Sequence, residues 1–298
     1  MSCAPPELLA KLNDRRVVAS VSGGKDSAAL SLHLSELGIE HDRVFLDTGW
    51  EHPATYDYLR GELARVIGAI TWLSAPRQMV DLILHKGMFP SKQRRYCTQE
   101  LKVRPMQVHL NALVASGQDV VNAVGIRHAE SAARAQLEEW EWSEGFECEV
   151  WRPLVAWSEE DVIAIHRRHG LGPNPLYLLG AERVGCWPCI YARKSEVRLL
   201  ADVDPARVEA LRKLEADVTT AQRVRAERSG KPIPGSSAWF QAPLGRAGEC
   251  WSIDKVVEWS RTSHGGRQYE MFAAAGRDQG CMRWGLCETA DPDGEASK

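Results

Sequence analysis

Two spacings of apolar residues alternate along the first two thirds of the chain. Residues 15–20 (RRVVAS) form a short apolar run, VSGGKDS follows, and AALSLHLSELG then sets its apolar residues at helical intervals. A short run bounded by a turn signals a buried strand, whereas recurrence every three or four residues signals a helix packed on one side. The segment therefore predicts strand, loop, helix. Residues 42–49 (DRVFLDTG) predict a second strand ending at Asp47, EHPATYDYLRGELARVIG an amphipathic helix, and residues 69–75 (AITWLSA) a third strand. Residues 119–127 (DVVNAVGIR) and 147–155 (ECEVWRPLV) predict two more, followed by a helix in SEEDVIAIHRRHG, where Ser158 and Asp161 have capping-box spacing. A short helix is predicted near the start. Strands alternating with helices imply an α/β fold, a mostly parallel sheet with helices on both faces. Ligands of such sheets gather at the carboxyl ends of the strands.

Beyond residue 193 the spacing changes. VRLLADVDPARVEALRKLEADVTTAQRVRAERSG is charged and helical with no strand signal after it, Pro232, Pro234 and Gly235 mark a loop, SIDKVVEWS predicts one more helix, and DPDGEASK a disordered tail. Three parts are expected: an α/β domain over residues 1–193, a helical C-terminal region over 194–290 and a tail over 291–298. Lys and Arg total 37 against 40 Asp and Glu in 298 residues, a net charge of -3. That balance excludes a globally basic nucleic-acid-binding surface. Basic residues of the helical region are interleaved with glutamates, so a solvated face is the default, and any protein or nucleic-acid partner would use this surface. No apolar stretch is long enough to span a bilayer and no signal-peptide order opens the chain. A cytoplasmic protein without membrane contact is expected, with homo-oligomerisation left open.

Ser22-Gly23-Gly24-Lys25-Asp26-Ser27 stands between the first strand and its helix. Glycines there allow close backbone approach, and amides at a helix N-terminus attract anions. The spacing is neither that of a Walker A loop nor that of a dinucleotide fingerprint. The loop resembles the pyrophosphate loop (PP-loop) of the N-type ATP pyrophosphatases, the adenine nucleotide alpha-hydrolase-like superfamily. Four further segments resemble, in order, its phosphoadenosine phosphosulfate (PAPS) reductase family: FLDTGWEHPATYDYL, RRYCTQELKVRP, GIRHAESAARA and WSEEDVIAIHRRHGLGPNPLYLLGAERVGCWPCI. The resemblance implies a Rossmann-like sheet with ATP, PAPS or adenylylsulfate over the strand ends. Ser20, Ser22, Gly23, Gly24 and Ser27 would cradle phosphates, and Lys25 would neutralise charge. Asp26 would order the loop or hold Mg2+, and Asp47 would be a second Mg2+ anchor or a helix cap. Gly125 and the cations Arg94, Arg95, Lys102 and Arg127 lie in the matching motifs, where guanidinium forks suit phosphate or sulfate oxygens. Lys25, Asp26 and Arg127 are the expected catalytic residues, while Glu130 and Arg134 have the i,i+4 spacing of an ion pair supporting the Arg127 loop.

Cys186-Trp187-Pro188-Cys189 is a C-x-x-C, a spacing that lets two thiolates meet one metal ion or cluster. Cys281 and Cys287 would complete four-sulfur ligation. Cys97 is the alternative ligand, because it stands where cluster-bearing sulfonucleotide reductases carry adjacent cysteines; here the pair is Tyr96-Cys97. Thiolate ligation suits a [4Fe-4S] cluster or Zn2+ alike, and a redox-active pair is a third reading. Cys3, Cys148 and Cys250 are expected as buried free thiols. Trp50, Trp187 and Trp284 lie near the proposed chemistry, although core packing is their default.

The resemblance covers two chemistries. Sulfonucleotide reductases attack sulfur with a cysteine in a C-terminal E-C-G-[LI]-H type motif and often carry a degenerate phosphate loop. Here the loop is intact, and Gly285-Leu286-Cys287-Glu288 lacks the histidine. Cleavage of ATP between the α and β phosphates is therefore expected, giving pyrophosphate and AMP or an adenylylated acceptor of unknown identity. The alternatives are PAPS or adenylylsulfate reduction with release of sulfite, through Cys287 or Cys97, and a nucleotide-binding accessory factor. Similar proteins accompany DNA phosphorothioation, phage and CRISPR gene sets.

Overall fold

A short helix α1 (Pro6–Leu12) leads into β1 (Arg16–Ser20), whose central residues are almost fully buried, and the glycine loop then delivers the chain to α2 (Lys25–Glu36). The computed structural model describes residues 4–230, 237–241, 249–263 and 284. Next come β2 (His41–Asp47), α3 (Pro53–Tyr58), a π turn (Leu59–Leu63), α4 (Ala64–Ile67) and β3 (Thr71–Ser74). After α5 (Met79–Lys86), α6 (Tyr96–Thr98) passes through a second π turn (Gln99–Val103) into α7 (Arg104–Ala115). β4 (Val120–Ala123), β5 (Trp140–Ser143), β6 (Cys148–Trp151), α8 (Glu159–Arg168) and α9 (Pro175–Leu178) complete the α/β part.

The six strands lie in the order β3-β2-β1-β4-β6-β5, parallel except for β5, which runs antiparallel to β6. All five expected strands are present. β5 is an addition, because WEWS offers only four residues of alternation, too short a period to separate from a loop. Alternation along each strand makes two cores. Val17, Ala19, Phe45, Val121 and Trp151 pack with Leu30 and Leu34 of α2 and Ile165 of α8 on one face. Val18, Val44, Val120 and Cys148 pack with Met106 and Leu110 of α7 on the other. The chain steps outward from β1 to β3, then crosses to the far side of β1 to lay down β4. The reversal point of such a sheet opens a crevice at the strand ends, which here lies between β1 and β4.

The C-terminal part consists of α10 (Lys194–Val203), α11 (Pro205–Ser229) and α12 (Ile253–Ser260). Two-residue strands β7 (Phe240–Gln241) and β8 (Cys250–Trp251) pair antiparallel in a region for which no strand was expected, since a two-residue pair carries no readable period. One stripe of α11, Val208, Leu211, Leu214 and Val218, is buried, leaving the charged side to solvent. It packs with Leu82 and Ile83 of α5 and with Trp50, Trp187 and Trp239. This third core spans both sides of residue 193. Buried Glu215 accepts from the amides of Trp239 (3.1 Å) and Ile253 (3.0 Å), fastening β7 and α12 to α11. Residues 291–298 lie outside the described residues, among which no helix is long and apolar enough to cross a membrane.

Candidate nucleotide site

Gly23 adopts φ +76°, a left-handed conformation open to glycine at little cost, and Gly24 begins α2. Ser27 Oγ accepts from the Ser22 amide at 3.0 Å and donates to the Gly24 carbonyl at 2.9 Å, closing the loop on itself. From the opposite side, the Lys25 amide donates to the Tyr177 hydroxyl (3.1 Å), His166 donates to the Lys25 carbonyl (2.9 Å), and Asn174 donates to the Gly23 carbonyl (3.2 Å). Burial lowers the pKa of His166. The loop is thus tied down from both sides at the positive N-terminal end of the α2 dipole.

Its charges are balanced internally. Asp26 Oδ1 accepts from Arg127 Nε at 2.5 Å, and Lys25 Nζ lies 3.2 Å from Glu159 and 3.8 Å from Asp26. Arg127 is 5% exposed and Lys25 9%. Gly125 is needed for this approach: a Cβ there would stand 2.7 Å from the Asp26 carbonyl oxygen. The Arg127 amide donates to Glu130 at 2.8 Å, and Glu130 pairs with Arg134, as its spacing predicted.

Beside the loop, over the carboxyl ends of β1, β2, β4 and β6, lies a largely apolar cavity of about 290 Å³. Ser20, Leu46, Lys102, Met106, Asn122 and Arg152 are among its lining residues. The volume is at the small end for a small-molecule site, whose usual range starts at about 300 Å³. Ser20 and Lys102 thus share one cavity with residues flanking Gly125 on both sides, Val124 and Ile126.

The cysteines stand at the Lys102 side. Glu51 and Cys186 form a backbone bridge, and Thr48 Oγ1 lies 3.9 Å from Cys186 Sγ. Thr48 also donates to Glu51 at 2.7 Å, and Tyr56 donates to Glu51 (2.9 Å) and to Asp47 (2.8 Å). Asp47 additionally accepts from the Gly49 amide at 2.9 Å. Negative charge on Cys186, Glu51, Cys189 and Cys97 raises the Lys102 pKa, with Cys186 foremost. Burial pushes the thiols of Cys97 and Cys186 up, and Lys102 opposes it. Cys97 and Cys186 therefore stand where the Lys102 charge reaches them. Arg94 and Arg95 are exposed; Arg95 stacks 5.2 Å over the ring of Tyr191, two residues past Cys189, and Arg94 lies 3.5 Å from the Met88 sulfur. Among the described residues no group of three or more His, Cys, Asp or Glu is placed to hold a metal ion. Cys3, Cys281 and Cys287 lie outside them. Cys148 is buried and Cys250 partly so. Trp50, Trp187 and Trp284 are core residues at 3%, 6% and 3% exposure; Trp284 packs edge-on to His166 and against Tyr177.

Several site residues were not singled out from the sequence. His166, Asn174, Tyr177 and Glu159 all fall within the last family-like segment, where resemblance marked the stretch without ranking its side chains. Asn122 had a signal of its own, a lone amide inside an apolar strand run.

Comparison with known proteins identifies relatives of this chain. The sequence profile of the phosphoadenosine phosphosulfate reductase domain matches residues 16–192. An uncharacterised 37.8 kDa protein of Escherichia phage 186 is 31% identical, over 91% of this chain and 96% of its own length. The adenosine 5'-phosphosulfate reductase of Streptomyces coelicolor is 31% identical over 50% of this chain, which spans 61% of that reductase. A crystal structure of the phosphoadenylyl-sulfate reductase of Candida auris, in a phosphate complex, aligns with a TM-score of 0.48 and 20% identity, over 61% of this chain and 87% of that one. With that sequence profile covering more than half of its residues, this chain belongs to the phosphoadenosine phosphosulfate reductase domain family.

Proposed function

We propose that the chain binds ATP with its base in the cavity and its phosphates on the Ser22–Ser27 loop, and cleaves it between the α and β phosphates. The observation that carries this reading is the intact loop: a glycine turn at the N-terminal end of a 12-residue helix, closed by its own serines and the Tyr177 hydroxyl, with Lys25 and Arg127 beside it, both neutralised by the carboxylates of Asp26 and Glu159. A polyphosphate would take over those cations. Water or an acceptor oxygen attacks the α phosphorus in line, the bond to the α–β bridging oxygen breaks, and pyrophosphate leaves with that electron pair. Loop amides, Lys25 and Arg127 stabilise the charge that develops on it. Mg2+ would enter with the nucleotide, with Asp47 and Asp26 as its proposed protein contacts. Residues 1–193 would carry the nucleotide, with the helical region closing the cysteine side.

The test is product analysis with ATP labelled at the α phosphate and Mg2+. AMP or an adenylylated acceptor, with pyrophosphate, is expected, and Lys25→Ala should reduce turnover at least a hundredfold, on the order of 3 kcal/mol of transition-state stabilisation. Turnover unchanged in Lys25→Ala overturns the loop assignment.

A second reading, sulfonucleotide reduction, is favoured by one observation: Lys102 lines the cavity and is electrostatically coupled to Cys97, Cys186 and Cys189. A thiolate would attack the sulfate sulfur and expel AMP from adenylylsulfate, or adenosine 3',5'-bisphosphate from PAPS, and a second thiol would then release sulfite and leave a disulfide. Sulfite from adenylylsulfate or PAPS, and no pyrophosphate from ATP, would select it. Nucleotide binding without either product would select the accessory role. Cys186 and Cys189 are proposed as half of a four-sulfur Zn2+ or [4Fe-4S] site, completed by Cys281 and Cys287 or involving Cys97; no step is assigned to it.

A further inference from the structure

Two polar side chains that line the cavity carry atoms the chain itself leaves unsatisfied. Asn122, on β4, is 2% exposed, and its Oδ1 has no hydrogen-bond partner. Arg152, 7% exposed, donates to the Glu138 carbonyl at 2.8 Å and to the Glu141 carboxylate at 2.6 Å, while its Nε has no partner. Both side chains line the cavity. Asn122 pairs with Val150 across β4 and β6, and Arg152 follows Val150 by two residues, so strand alternation turns both toward the same face of the sheet.

An unsatisfied buried acceptor costs roughly 1–3 kcal/mol, and native interiors keep few of them. The neighbouring walls, Leu46, Met106, Val124, Ile126, Phe146 and Val150, are apolar and suit a flat ring. An unsatisfied acceptor and an unsatisfied donor among the lining side chains match a heterocycle whose edge carries an N–H next to a ring nitrogen. The 6-amino edge of adenine has that order, and carboxamide side chains pair with it in nucleic-acid recognition. Guanine reverses it, placing a carbonyl oxygen at the 6-position, where it would oppose Asn122 Oδ1.

We infer that Asn122 sets base choice by accepting from the adenine 6-amino group, with Arg152 Nε donating to the adjacent ring nitrogen. This rests on the cavity being the base subsite of the proposed function and adds the side chains that read the base. Equilibrium titrations of the full chain with Mg2+ and ATP, purine riboside 5'-triphosphate (which lacks the 6-amino group), GTP and inorganic pyrophosphate test it. The wild type is expected to bind ATP at least roughly tenfold more tightly than the des-amino analogue or GTP, as follows from losing one buried hydrogen bond. In Asn122→Ala, and in the more conservative Asn122→Ser, ATP and the des-amino analogue should bind within about twofold of each other, with pyrophosphate affinity unchanged. A merely structural role would weaken both nucleotides equally and keep their ratio, which overturns the assignment. Equal affinity of the wild type for ATP and the des-amino analogue overturns it without any variant and leaves nucleotide binding standing. No affinity for ATP, nor for adenylylsulfate titrated in the same way, overturns the nucleotide reading itself.

Discussion

Gly125 shows how much a single missing side chain carries. Its backbone closes on the first turn of α2 so tightly that any Cβ would meet the Asp26 carbonyl oxygen at 2.7 Å. Gly125→Ala must therefore move β4 or the loop, and overpacking of this kind costs roughly 1–3 kcal/mol. Nucleotide affinity should fall about tenfold or more in the same variant, because Arg127 and Asp26 separate; titration with ATP, alongside urea denaturation, checks both. The proposed four-sulfur site makes a chemical prediction at the same scale. Cys186→Ser should lower bound iron or zinc to trace levels by elemental analysis, and unaltered metal content would discard the four-sulfur proposal. At this scale the loop residues were legible because glycine, serine and lysine there answer to one anion. The residues that hold the loop from behind, His166, Asn174 and Tyr177, were not, since they act from roughly 150 positions away in sequence and nothing local marks them.

Packing of α2 against β2 gives the fold a pH-sensitive seam. His41 opens β2, with its ring nitrogens held by Ser31 at 2.7 Å and by the Ile39 carbonyl at 2.9 Å. Burial depresses its pKa to about 4 from 6.5. In the unfolded chain this imidazole takes up its proton near 6.5, whereas the folded chain resists until about 4. The unfolded state thus binds more protons across that window, so stability is full above it and falls as pH drops through it. The loss is at most about 3 kcal/mol. Denaturant midpoints measured between pH 7 and pH 4 should decline, and His41→Gln should flatten the decline in that interval. Glu36, held near 2 by Arg168 and His169, adds its own loss only below 4.5. Elements long enough to show a period were readable: the parallel strands, α2, α8 with its Ser158–Asp161 capping box, and the striped α11. β7 and β8 were not, because two-residue strands are created by the neighbour they pair with, and β5, although as long as β3, β4 and β6, has exposed residues at its centre and no apolar run of its own.

Across the whole molecule, the sheet and the helical region are joined by a shared core more than by a linker. Trp50, Trp187 and Trp239 meet α5 and α11 in one cluster, and Trp284 reaches the floor of the glycine loop. Trp284→Ala should cost roughly 3 kcal/mol or more, the usual range for emptying a buried tryptophan site; because the ring touches Tyr177 and His166, ATP affinity should weaken along with thermal stability. Equal ATP affinity in a folded Trp284→Ala protein would show that the loop is supported without it. That tie was not readable from spacing, since both ends lie over a hundred residues apart and each looks locally like an ordinary core tryptophan. The strand order has a further consequence for how the protein comes into being. Val17 pairs with Val121 and Asn122 with Val150, so the two walls of the crevice meet only across a loop of roughly a hundred residues, a slow closure. During synthesis SGGKDS leaves the ribosome long before β4 and β6 exist to stand beside it. On the proposed reading, the nascent chain would hold nucleotide only once Tyr177, which ties down the loop, has emerged, so that ligand binding would report a formed α/β part and not act as a template for it.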